Sequence, residues 1–131
     1  MKKRIYRRMP VNDFQPTTIS PADLGGKLVF AIDVAKVDMV AAIAAASGRV
    51  LQTISWKAPE QNHAVLAILA GFRAAGIPVE AVMEPSGTYG DVLRHQLERD
   101  AVPVFMVSGK RTYDAKEIFD GVPSLHDVSG R

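Results

Sequence analysis

Two acidic residues close strongly apolar segments. Phe30-Ala31-Ile32 runs into Asp33, and Ala81-Val82-Met83 runs into Glu84. A carboxylate after a fully apolar strand is costly to desolvate unless it is paired or holds a cation. If the two strands are neighbours, both acids face one cleft and repel each other. A hard divalent cation relieves that repulsion, and carboxylate oxygens suit Mg²⁺ or Mn²⁺. Such cations activate a nucleophile and stabilise a leaving oxygen in phosphodiester chemistry. The plainer alternative for each acid is a helix cap or a partner for a nearby cation. Neither strand contains Lys or Arg. Lys36 stands near Asp33, either as its salt partner or as a phosphate contact.

The elements that must position these acids follow from periodicity and turn chemistry. Leu28 to Ile32 is a short run of β-formers, expected as a strand buried on both faces. Val37 to Ala46 is ambiguous, because its alanines favour helix. The Ser47-Gly48 turn and the strand-like Arg49 to Trp56 beyond it favour a strand. Residues 28–56 are therefore expected to form a three-stranded antiparallel meander. Pro59-Glu60 opens a helix through about Ala75, with Val65, Leu66, Ile68, Leu69 and Phe72 at helical spacing and Gly76 as its cap. Pro78 to Met83 is a further strand. Pro85-Ser86-Gly87 turns the chain, and Ser86 or Thr88 caps a helix from about Tyr89 to Arg99. Val102 to Val107 is a fifth strand. A helix from about Lys110 to Phe119 follows, and another element begins near Ser124.

The order β-β-β-α-β-α-β-α predicts an α/β fold. Its sheet is mixed and five-stranded, a meander followed by alternating helix and strand. It matches the ribonuclease-H-like arrangement, in which the first and fourth strands lie side by side.

Composition narrows the function classes. The 131 residues suit one domain. There is no cysteine, so disulfide scaffolds, thiolate zinc sites and thiol nucleophiles are excluded. The absence agrees with a cytoplasmic location. No apolar run reaches the roughly 18 residues a membrane helix needs. Charge is uneven. Lys2, Lys3, Arg4, Arg7 and Arg8 face only Asp13 and Asp23 in residues 1–26, a formal +3 where the whole chain carries +2. With Pro10, Pro16, Pro21 and Gly25-Gly26, this stretch is expected to be a flexible basic lead, and the folded body to span 27–131. Such a lead is either a solvated arm or a contact for nucleic-acid phosphates.

Three stretches together resemble a known family. Ala31-Ile32-Asp33-Val34-Ala35-Lys36 is similar to its opening signature. Met83-Glu84-Pro85-Ser86-Gly87-Thr88-Tyr89-Gly90 is similar to its second and most specific one. Val104 to Lys110, with Ser124-Leu125-His126-Asp127, resembles its third acidic region. The family is the DEDD-type transposases of insertion sequences, with the related pilin-gene invertases, and the resemblance covers about 27–131. It implies a Holliday-resolvase-like domain that binds Mg²⁺ or Mn²⁺ through four acids and acts on DNA. Asp33 matches the first acid, Glu84 the second and Asp127 the third. Gly130 stands where the fourth is commonly found. The resemblance also implies a C-terminal domain bearing a serine nucleophile, a structured guide-like RNA partner and a homo-oligomer. On that reading the chain is the N-terminal part of a longer recombinase and inactive alone.

Other residues carry weaker signals. His63 and His95 fall on helices and are expected at the surface, while His126 is a neighbour of Asp127. Trp56 and Tyr89 are packing residues or, for Tyr89 at the cleft mouth, a nucleic-acid contact. Two rival readings remain. A sugar-kinase-like or actin-like ATPase domain shares the superfold, but needs glycine just after the first Asp, where this chain has Val34-Ala35. A non-catalytic nucleic-acid-binding module would use the basic lead and a decayed site.

Overall fold

The computed structural model describes residues 8–84 and 87–107. Strands β1 (Arg8–Pro10), β2 (Leu28–Asp33), β3 (Asp38–Ala45), β4 (Val50–Lys57), β5 (Val79–Met83) and β6 (Val104–Met106) form one mixed sheet. Helices α1 (Pro21–Leu24), α2 (Asn62–Ala74) and α3 (Asp91–Arg99) complete the α/β architecture. The sheet order is β1-β4-β3-β2-β5-β6. β2, β3 and β4 make the antiparallel meander, while β5 pairs parallel with β2 and β6 parallel with β5. No helix among the described residues is long and apolar enough to cross a membrane.

The meander, the two later strands and the adjacency of the first and fourth expected strands agree with the sequence reading. β3 is alanine-rich yet extended. Met39, Ala41 and Ile43 alternate inward and are buried. That burial, with pairing on both sides, overrides the helical preference of alanine. A register shift between Ile43 and Ala44 accommodates one extra residue of β4.

The expected five strands are six, and the lead is not a free tail where it is described. Residues 8–26 pack on the body. Arg8–Pro10 pairs parallel with Thr53–Ser55, and Pro10 is tolerated there because β1 is an edge strand. Val11, Phe14, Ile19 and Leu24 enter the main core. Ser20 caps α1. Its hydroxyl accepts from the Asp23 amide at 3.2 Å, and the Asp23 carboxylate accepts from the Ser20 amide at 3.1 Å. Gly25 closes the turn in the left-handed region at φ 67. The folded body therefore begins before Lys27. Residues 1–7 lie outside the described residues, as do the expected helix 110–119 and the element near Ser124.

The helices start later than periodicity alone suggests. Residues 58–61 form a turn before α2, in which the Lys57 amide donates to Gln61 Oε1 at 2.7 Å. α3 starts after Gly90, with no side-chain cap. Thr88 contributes its backbone carbonyl to the Asp91 amide instead of a hydroxyl cap, and Ser86 lies outside the described residues.

Nearly all large apolar side chains collect on one face of the sheet. Val65, Leu69 and Phe72 of α2 and Leu93 and Leu97 of α3 meet Leu28, Phe30 and Ile32 there. The opposite face holds a smaller cluster of Val29, Ala44 and Val50, with Ala31, Ala42 and Val82 beside it. This division fixes which side of the sheet Asp33 occupies.

Candidate functional site

The parallel register of β2 and β5 runs from Leu28 opposite Val79 to Ile32 opposite Met83. The next residue on each chain is Asp33 and Glu84. Strong β-formers set this pairing, and the chemistry-bearing residues stand one step past it. Side chains alternate along each strand. Asp33, the last residue of β2, therefore shares the face of Val29 and Ala31, opposite the two long helices, while Glu84 directly follows the end of β5. Asp33 is exposed and Glu84 half-buried. Asp33 thus escapes the desolvation cost of an acid that closes an apolar strand, because the strand carries it into solvent. Asp33 also stands opposite Val40 in the antiparallel pairing with β3.

The carboxyl ends of β2, β5 and β6 form one rim around these acids. Lys36 is exposed in the turn after β2. Tyr89 is 51% exposed in the loop between Glu84 and α3. Val37, Val92, Phe105 and Met106 are the other large apolar residues exposed among those described: Val37 in the turn after β2, Val92 in the first turn of α3, and Phe105 and Met106 on the edge strand β6. The Val107 amide donates to the Met83 carbonyl at 2.9 Å and so holds Val107 beside the end of β5.

One contact in this rim has no counterpart among the expected site residues. Gly90 sits where a β-carbon would lie 2.8 Å from Met83 Cε and 3.3 Å from Val34 Cγ2. The loop after Glu84 thus presses directly on the residue after Asp33. The available signal is a second glycine, three residues after Gly87 and just before a helix.

A second omission is a buried polar relay. The Trp56 indole donates to Asn62 Oδ1 at 2.9 Å, and Asn62 Nδ2 donates to Gln96 Oε1 at 3.0 Å. It ties β4, α2 and α3 together on the helix-covered side of the sheet. Trp56 also stacks on Phe30 at 6.0 Å, so it is a packing residue. His63 and His95 are exposed, as expected.

Chemically, the rim offers two carboxylates on adjacent strands. Mg²⁺ is commonly held by one or two carboxylates, with water and substrate phosphates completing the shell. Asp33 and Glu84 are the two carboxylates of the rim with that ligand chemistry. No group of three or more potential ligands stands together among the described residues. Asp127 lies outside them, as do Lys2, Lys3, Arg4 and Arg7. Arg8 is described and exposed, on β1. Comparison of the chain with protein-family models, curated proteins and solved structures finds no match.

Proposed function

We propose that this chain is the N-terminal, ribonuclease-H-like domain of a DNA transposase of the DEDD type, using acidic residues and Mg²⁺ or Mn²⁺ for DNA strand cleavage and transfer. The observation that carries this reading is the β2–β5 register, which sets Asp33 and Glu84 at neighbouring strand ends. The sheet order supports it, since an antiparallel meander followed by two parallel strands is the order expected of that superfold. The similarity of residues 31–36 and 83–90 to the family signatures supports it independently.

In this reading Asp33 and Glu84 hold the cation, and Asp127 joins them. The bound cation supplies Lewis-acid stabilisation of charge at the phosphodiester. Lys36, Tyr89 and the basic residues Lys2, Lys3, Arg4, Arg7 and Arg8 contact DNA, the cations through phosphates. The serine-bearing domain, the guide-like RNA, the homo-oligomer and the cytoplasmic setting belong to the whole recombinase. Against the ATPase alternative, the Val34 side chain is buried against Gly90 where a phosphate loop would need glycine.

The test is a calorimetric or paramagnetic titration with Mn²⁺ on the wild type and Asp33→Asn. The expected result is weak, millimolar-range binding that the substitution largely abolishes while the circular dichroism spectrum is unchanged. Equal affinity in both proteins, or none in the wild type, contradicts the reading.

A further inference from the structure

The β2–β5 ladder stops at Ile32 and Met83, one residue short of both acids. Beyond it, the spacing of the strand ends depends on packing. Val34 follows Asp33, Met83 precedes Glu84, and both side chains lie on the helix-covered face. The residue that meets both is Gly90, at the start of α3.

We propose that Gly90 is a positioning residue: its missing side chain lets α3 seat against Val34 and Met83 and so sets the spacing of Asp33 and Glu84. The proposal rests on the reading of these acids as a cation site.

The contact is specific. A β-carbon at Gly90 would approach Met83 Cε to 2.8 Å and the two Val34 methyls to 3.3 and 3.4 Å, whereas Gly25, Gly26, Gly71, Gly76 and Gly87 have nothing within 4 Å. Backbone conformation does not demand glycine, because Gly90 has φ −97 and ψ −1, which alanine adopts freely. The close approach is the remaining reason. The two neighbours yield differently. Met83 Cε is the free end of a flexible side chain and can turn aside, although at 1% exposure it has little free volume to enter. Val34 is β-branched and stiff about χ1, so relief at its methyls comes from a small shift of α3 or of the backbone beside Asp33. Carboxylates that share a cation tolerate only small displacements, of about 0.5 Å.

The experiment is Mn²⁺ binding by electron paramagnetic resonance on the full chain. The proteins are wild type, Gly90→Ala, the double variant Gly90→Ala/Met83→Leu, and Val34→Ala. Gly90→Ala is expected to weaken binding on the order of ten-fold, the scale seen for residues that orient a metal ligand. Met83→Leu removes the colliding methyl at nearly constant volume and is expected to restore the affinity. Val34→Ala loosens the same contact without a clash and is expected to weaken binding even if Gly90→Ala does not fold. Wild-type affinity in Gly90→Ala or in Val34→Ala overturns the proposal and leaves the cation site standing. Weakened binding that the double variant does not restore overturns it too, because the contact is then not the cause. A wild type that binds no Mn²⁺ removes the site itself and the proposal with it.

Discussion

Asn62 is the buried polar side chain among the described residues, at 1% exposure, and both its amide atoms are engaged. Replacing it by alanine leaves the Trp56 indole N–H without its acceptor in a region closed to water. The cost of such an orphaned group is about 1–3 kcal/mol. Asn62→Ala should lower the urea midpoint accordingly, and Trp56→Phe/Asn62→Ala should show that the two losses are not additive. Asp23 gives a pH signature. The hydrogen bond from the Ser20 backbone, then that from its side chain, holds the Asp23 carboxyl below the usual carboxylate range. Its folded value thus lies below its unfolded one. Its contribution to stability is present above the unfolded value and is lost as pH falls through the folded one. Asp23→Asn should therefore flatten the acid limb of the stability–pH curve and leave the curve above pH 7 parallel to wild type. At this scale the sequence was informative about type and silent about environment. Asp33 and Glu84 stood out because each ends an apolar run. Exposure of Asp33 and the Asn62 relay depend on which neighbours fold over them, which no local pattern encodes.

At the scale of elements, the strands of the meander and α2 were legible because their periods of two and 3.6 are clear. The alanine-rich β3 was recoverable only from its flanking turn and partner. β1 was not legible. Three residues carry no period, and their partner is more than forty residues away in the chain. Its place and that of Phe14 and Leu24 follow from long-range burial. That burial predicts the consequence of losing the lead. Burying one large apolar side chain contributes about 1.5–3 kcal/mol. Val11, Phe14, Ile19 and Leu24 together approach the 5–15 kcal/mol that stabilises a typical domain. A chain beginning at Lys27 should therefore lack a cooperative thermal transition by circular dichroism. A truncated protein with a near-wild-type midpoint would show that the lead is dispensable packing.

For the whole molecule, the central claim is that sheet topology converts two distant acids into one cation site. Residues 33 and 84 are brought together because the β4–α2–β5 connection returns the chain to the far side of β2. The face Asp33 occupies is the one left free by α2 and α3, and it lies beside the exposed rim that includes Tyr89 and Lys36. The most direct measurement is Mn²⁺-induced broadening of backbone amide signals in the ¹⁵N-labelled full chain. Paramagnetic broadening falls steeply with distance, so it locates the ion without relying on a mutant. The account predicts that Asp33, Val34, Glu84 and Gly87 to Gly90 lose intensity first at low metal, while Lys27, before the opposite end of β2 and ion-paired with Glu80 at 3.3 Å, persists. Broadening centred on Asp13, Glu60 or Glu98, or spread evenly over the acidic surface, would contradict it.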